Sequence, residues 1–162
     1  MGNGGLVQIG TAHEVFLNPS SLFVARHLGQ PSINEVSAEL VQESGMLQVA
    51  LGALKFPVAG KHAAVLQSRN QPQVTLGIRP QHIRPGTTLK STDSTTLSAK
   101  VEVFEALGAY GVMMANLSGT SLTLLTDSES HYSAGEDVSL TLDTSEFFYF
   151  HPETGSNLML GA

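Results

Sequence analysis

The side chains in this sequence that could do chemistry are scattered. Six histidines, His13, His27, His62, His82, His131 and His151, could ligate a metal or act as bases. No pair of them has the i, i+4 helical spacing with an intervening Glu that builds a zinc protease site, so surface positions are expected. Gly60-Lys61 is the sole Gly-Lys pair, but the Gly that a phosphate-cradling loop needs upstream is missing and His62 stands where Ser or Thr would follow. Met1–Gly5 is glycine-rich and reads as a frayed start or a cloning remnant. The paired carboxylates Glu136-Asp137 beside Gly135 suggest a turn entering a strand rather than general acid/base work. There is no Gly-x-Ser-x-Gly elbow, and Asn116-Leu117-Ser118 is a chance glycosylation match without a secretory signal. No catalytic, cofactor-binding or metal-ligating residue is assigned.

Composition narrows the classes further. The chain has 162 residues, 41% hydrophobic and 14% charged, with 16 Gly, 7 Pro and no Cys. Folding at this length buries about 70% of the surface of the extended chain, enough for a core without disulfides. The absence of Cys excludes thiol catalysis, Cys-ligated zinc and iron–sulfur chemistry, and a reducing cytosol suits the composition. Eight Lys and Arg against fourteen Asp and Glu give a formal charge of -6, which repels phosphate backbones. Aromatic residues amount to 6%, poor in stacking platforms, so a single-stranded nucleic-acid binder is disfavoured. No window approaches the roughly 18 apolar residues of a spanning helix, and no signal peptide is expected.

Two kinds of element must position these residues. Leu6–Ile9 is predicted as a short strand, followed by a helix over Ala12–Leu17. A second helix is predicted with Asn18 as N-cap, Pro19 at the first helical position and Gly29 closing it after Leu28. These short helices would be marginal alone, so Leu22, Phe23 and Leu28 are candidates for docking against another surface. From Ile33 the period becomes two: Leu47, Val49, Leu51; Val74, Leu76, Ile78; Leu97, Ala99, Val101, Val103; Val112, Met114; Leu122, Leu124; and Val138, Leu140, Leu142. Helical interruptions are predicted at Gly60–Gln67 and Pro80–Ile83, and Phe147–Phe150 reads as a core strand. The Ser/Thr-rich stretch Thr87–Thr96 is predicted as a linker between two β-rich halves, Ile33–Arg84 and Leu97–Phe150. The expected fold is mainly β, with OB-fold-like barrels of short strands preceded by two short helices.

Three stretches resemble one family. Val7-Gln8-Ile9-Gly10-Thr11-Ala12-His13-Glu14-Val15-Phe16, continued by Asn18-Pro19 through Phe23-Val24-Ala25-Arg26-His27-Leu28-Gly29, is similar to the end of the nucleotide-binding domain in ATPase subunits of ABC importers. It departs from that pattern by Ala12 in place of Pro and by His27-Leu28 in place of an aromatic-aliphatic pair. Leu76-Gly77-Ile78-Arg79-Pro80-Gln81-His82-Ile83 resembles a stretch of the same family's C-terminal regulatory domain, with Gln81 where Glu is common. Val101–Gly108 and Phe150-His151-Pro152-Glu153-Thr154-Gly155 look like the start and end of its transport-associated OB-fold module, the latter typical of subunits serving sugar and glycerol-phosphate importers.

The resemblance implies a C-terminal remnant of an ATPase domain over 1–32 and a regulatory domain over 33–162. It implies a homodimerising module that tethers two ATPase subunits of a carbohydrate importer, in contact with its own nucleotide-binding domain and indirectly with the transmembrane subunits. The location implied is the inner face of the cell membrane, without insertion and without nucleic acid. The family's phosphate-binding loop, signature, Walker B carboxylate and switch His lie upstream of the matched stretch, so no ATP hydrolysis is expected of this chain, ATP and magnesium belonging to the nucleotide-binding domain. Arg79 and His82 are candidate contacts: an ion pair inside the fold is the first expectation for Arg79, a partner contact the alternative. The N-terminal helices are expected to exchange between two copies. A small-ligand sensor for an oxyanion or a sugar on the same fold stays open as the second class of function.

Overall fold

Thr11 shows how the chain begins its first regular element. Its hydroxyl accepts from the Glu14 backbone N–H while the Glu14 carboxylate takes the Thr11 N–H, a capping box that opens α1 (Ala12–Leu17). The computed structural model describes residues 6–86 and 93–160; Met1–Gly5 and the Thr87–Thr92 part of the expected linker lie outside them. Leu6–Ile9 is not a strand. Instead the Gln8 amide donates to the Asn18 carbonyl and accepts from the Ser20 N–H, bracing the turn between the helices. Asn18 therefore ends α1, and Ser21, not Asn18, caps α2 (Leu22–His27) through a bond from the Val24 N–H. Gly29 follows the cap at φ +100, the left-handed geometry expected just beyond a helix end.

The strands are β1 (Asn34–Glu43), β2 (Met46–Leu51), β3 (Leu54–Pro57), β4 (Gln73–Ile78), β5 (Ile83–Pro85), β6 (Ser94–Ala106), β7 (Tyr110–Leu117), β8 (Thr120–Asp127), β9 (Asp137–Asp143) and β10 (Phe148–Phe150). Helix α3 (Gly60–Arg69) and 3-10 turns at Pro80–His82 and Thr144–Glu146 interrupt them. Two five-stranded antiparallel sheets result, ordered β10-β4-β1-β2-β3 and β5-β9-β6-β7-β8. The two β-rich halves are thus present but interlocked: β5 leaves the first half to pair with β9, and β10 returns from the second half to pair with β4. Packing of β5 against β8 as well curls the second sheet toward closure, giving the mainly β, OB-like fold that the sequence predicts. Ser94–Thr96, expected in a linker, instead pairs with Thr141–Asp143, because a polar Ser/Thr run serves as well on a strand as in a loop when a neighbour supplies the ladder.

One core joins both sheets. Leu47, Val49 and Leu51 of β2, Val74, Leu76 and Ile78 of β4, Leu122 and Leu124 of β8 and Leu140 and Leu142 of β9 are buried in it with Phe147 and Tyr149. Each large apolar side chain so buried contributes about 1.5–3 kcal/mol. The phase of β7 is opposite to the alternation expected: Met113, Ala115 and Leu117 point inward, Met114 is exposed and Val112 half-buried. Apolar side chains fill both faces of that strand, so alternation leaves its phase open and pairing decides it. A bulge between Val101 and Val103 has the related effect on β6, turning Val103 out to 47% exposure opposite Met114 while Val101 stays buried opposite Ala115. The Glu102 carboxylate at the bulge accepts from Asn116 Nδ2 and Ser121 Oγ, and these bonds, Ser121 first, lower its pKa.

Gly77 sits where β10 crosses β4. A Cβ there would lie 2.7 Å from Phe150 Cε2 and 2.8 Å from Ile33 Cδ1, two apolar groups that themselves hold the N-terminal helices. Gly77→Ala is expected to destabilise the chain by about 1–3 kcal/mol through overpacking, read from the urea midpoint at unchanged m-value.

Candidate functional site

Helix α1 buries no residue, and six residues of helix cannot persist in water by propensity. What fastens it is Arg79, the residue after β4, which is 2% exposed. Its Nη1 donates to the Leu28 carbonyl at 2.8 Å and its Nη2 to the Phe16 carbonyl at 2.7 Å. Phe16 is in the last turn of α1 and Leu28 is the cap residue of α2, so one guanidinium satisfies carbonyls that both helix ends leave open and meets the negative end of both dipoles. The Phe16 ring lies 3.6 Å from the Arg79 carbon in a cation–π stack, with Phe148 at 5.4 Å. The ion pair expected for Arg79 is not found: among the described residues no carboxylate pairs with it. Burial draws its pKa down to about 10, so it remains a cation at neutral pH.

Beside Arg79 lies a cleft of about 180 Å³, lined among others by Phe16, Lys61, His62, Arg79, His82 and Glu146. His62, in the first turn of α3, is 9% exposed, and its ring meets Tyr149 edge-on at 5.4 Å. His82 is half-buried in the 3-10 turn, its Nδ1 3.8 Å from Glu146 Oε2, and Lys61 Nζ is 3.9 Å from Glu146 Oε1. Among the described residues, four buried side-chain polar atoms have no hydrogen-bond partner: His62 Nδ1, Arg79 Nε, His82 Nδ1 and Tyr149 Oη. The first three belong to residues lining this cleft. Burial lowers the pKa of both histidines, outweighing the nearby Glu146 charge, and raises that of Tyr149.

Of the sequence-predicted residues, Arg79 and His82 therefore come together at the cleft. Leu22 packs with Ala25, Ile33 and Phe150, and its N–H bonds the Gly155 carbonyl at 2.8 Å. Leu28 contributes its carbonyl to Arg79, whereas Phe23 is 38% exposed, turned toward Leu6, Val7 and His27. The N-terminal helices pack against the end of the chain: Asn157 Nδ2 donates to the Pro19 carbonyl, its N–H to that of Ser20, and Ser21 bridges Ser156. Phe16, His62, Glu146 and Asn157 were not legible as site residues, since Phe16 reaches Arg79 across 63 positions with no pattern between them. No group of three or more metal-ligating side chains occurs among the described residues.

Arg79→Ala is expected to cost about 2–4 kcal/mol by leaving two carbonyls and the Phe16 ring unpartnered, and to raise amide exchange over α1 and α2 first. A second outcome concerns pH. Both histidines are neutral in the fold and bind protons more readily when unfolded, so the unfolded state gains protons as pH falls through their ordinary value of about 6.5. Stability is expected to be full above that pH and to decline below it, and the doubly substituted His62→Gln/His82→Gln chain to show a flatter urea midpoint between about pH 7 and 5.

Comparison with known proteins gives this geometry a setting. The TOBE domain family matches residues 76–150, which contain Arg79, His82 and Glu146. The sn-glycerol-3-phosphate import ATP-binding protein UgpC of Ruegeria pomeroyi is 31% identical over 96% of this chain, and that of Cupriavidus metallidurans 32% identical over 96%. An uncharacterized ABC transporter ATP-binding protein, YcjV of Escherichia coli, is 26% identical over 95%. The chain spans 40% to 42% of the length of these relatives. Among solved structures, the cytoplasmic molybdate-binding protein ModG, with molybdate bound, superimposes at a TM-score of 0.58 and 14% identity, over 74% of this chain and 96% of that one, which shows the shared fold. No helix among the described residues is long and apolar enough to cross a membrane. With a TOBE match over the strands that hold Arg79 and similarity continuing through both N-terminal helices, the chain is similar to part of the ATP-binding subunits of ABC importers, and its residues 76–150 match the TOBE domain family.

Proposed function

We propose that this chain is the regulatory and dimerisation module of the ATP-binding subunit of an ABC importer of carbohydrate type, tethering two ATPase subunits through the transport cycle. In this reading residues 1–32 are the end of the ATPase domain and 33–162 the regulatory domain. ATP and magnesium are bound elsewhere in the full subunit, and the chain itself catalyses nothing. It works at the cytoplasmic face of the membrane, reaching the transmembrane subunits through the ATPase domain.

The observation that carries the proposal is the buried Arg79 junction. A tether is useful only if the arms it joins are firmly attached to it, and Arg79 makes the two helices that resemble the ATPase end continuous with β4 of the TOBE domain. Pairing of two such modules would hold the arms at high effective concentration, so that reclosure needs no rediffusion. The names of the glycerol-phosphate importers among the relatives and the Phe150–Gly155 motif support the carbohydrate class. A second reading, an effector-sensing module, is favoured by the uncompensated Arg79 charge beside the cleft.

Sedimentation equilibrium is expected to give twice the 17.1 kDa chain mass, persisting on dilution into the low micromolar range, about the affinity of a specific interface. A monomer at all concentrations would overturn pairing by this module alone.

A further inference from the structure

The outer face of an antiparallel sheet is ordinarily polar, because alternation sends apolar side chains to the core side only. The outer face of β6, β7 and β8 departs from this. The register sets Val103 of β6 opposite Met114 of β7, and in the next row Val112 of β7 opposite Leu125 of β8. Leu107 and Tyr110 follow at the β6–β7 turn, where the Leu107 N–H bonds the Tyr110 carbonyl. Val103 is 47% exposed, Leu107 53%, Tyr110 40% and Met114 39%, while Val112 and Leu125 are half-buried. The exposure of Val103 is held in place. Without the bulge it would share the core face with Val101, and the Glu102 carboxylate pins that bulge to Asn116 of β7 and Ser121 of β8. A contiguous apolar face turned to water by a fastened bulge marks an interaction surface.

Charge and dimensions indicate what it fits. Glu105 stands opposite Val112 and Asp127 opposite Tyr110, and Glu102 lies at the bulge. Lys100, further along β6, is already paired with Asp137 at 2.9 Å. Four carboxylates thus border the face against one ammonium. A second copy of a chain of net charge -6 laid on it would set like charges together, so pairing of two modules would use another surface. From Met114 to Tyr110 the apolar rows extend over four residues of strand, about 14 Å. That is the length of about nine residues of helix, and a helix laid on a sheet is the usual cover for an apolar face.

We propose that the outer face of β6–β8 is a docking surface for a basic amphipathic helix of a partner protein, its apolar side on Val103, Met114 and Tyr110 and its Lys or Arg flanks toward Glu105 and Asp127. Apolar burial holds the helix and the carboxylates select its charge. The flexible thioether of Met114, at the centre, adapts to the shape of the side chains laid on it. This surface is distinct from the Arg79 junction and does not depend on the pairing of two modules.

The test is titration of the full ¹⁵N-labelled chain, following amide shifts, with a capped peptide of about twelve residues that carries leucine at i, i+3, i+4 and i+7 and lysine on its other face. A second peptide has glutamate in place of each lysine. Saturable shifts centred on residues 103–114 and 123–127 are expected with the lysine peptide, and binding about tenfold weaker or less with the glutamate peptide. Met114→Asp should abolish the shifts. Glu105→Lys combined with Asp127→Lys leaves the apolar centre intact and should weaken binding about tenfold, the effect of two exposed charges. Shifts scattered over the surface, equal binding of both peptides, or binding unchanged in Met114→Asp would overturn the surface. Sedimentation equilibrium of Val103→Asp separates this surface from module pairing: a dimer that persists in the variant leaves the face to a partner helix, whereas a dimer lost in the variant would show that a second copy covers it and overturn the proposal.

Discussion

A single guanidinium, buried and held by two carbonyls, is the constraint from which the arrangement of this molecule follows. Arg79 cannot keep its charge at 2% exposure unless both Nη groups find acceptors, and the acceptors that it finds are the open ends of α1 and α2. Helix α1 in turn has little else to keep it, since none of its residues is fully buried, whereas α2 also packs Leu22 and Ala25 against Ile33 and Phe150. Each side of the contact therefore solves the other's problem. Planarity matters here, since a lysine ammonium could neither span two divergent carbonyls nor stack on Phe16.

The β domain supplies the rigidity that this contact requires. Arg79 leaves β4 between two exchanges of the sheets, with β10 pairing alongside β4 and β5 starting just after the Pro80–His82 turn in the other sheet. A displacement of Arg79 would have to move both sheets, whose shared core is closely packed. Pro80 fixes the backbone immediately after it, and Gly77 admits Phe150 and Ile33 against β4 just before it. The Leu-Gly-Ile-Arg-Pro stretch is thus mechanically explained residue by residue: core, close approach, core, clamp, turn.

Much of this was legible from the sequence. Period-two patterns located most strands, the helix over Ala12–Leu17 was expected at those bounds, and the resemblance identified the Arg79 motif. What failed did so for definable reasons. Gln8 sits in a run that looks like a strand, yet its amide finds acceptor and donor in the next turn, and no local pattern encodes that choice. β7 carries apolar residues on both faces, so only its register could set its phase. Asn18 and Ser21 are both good caps, and Gln8 selects between them by taking the Asn18 carbonyl. Arg79 reads as an ion-pair former because arginine usually is one; its carbonyl partners are backbone, which every residue has and no sequence advertises.

The same feature makes the cleft chemically unusual. In a chain of net charge -6, Arg79 is nonetheless a buried cation that pairs with no carboxylate among the described residues. Burial reduces the screening around Arg79, so that the guanidinium acts strongly on the groups beside it, the Phe16 and Leu28 carbonyls first. It also keeps His62 and His82 uncharged, which leaves imidazole nitrogens as hydrogen-bond donors or acceptors rather than as competing cations. The clamp is one residue, and any shift of Arg79 alters its hold on the Phe16 and Leu28 carbonyls together, which couples β4 mechanically to both helices beside it.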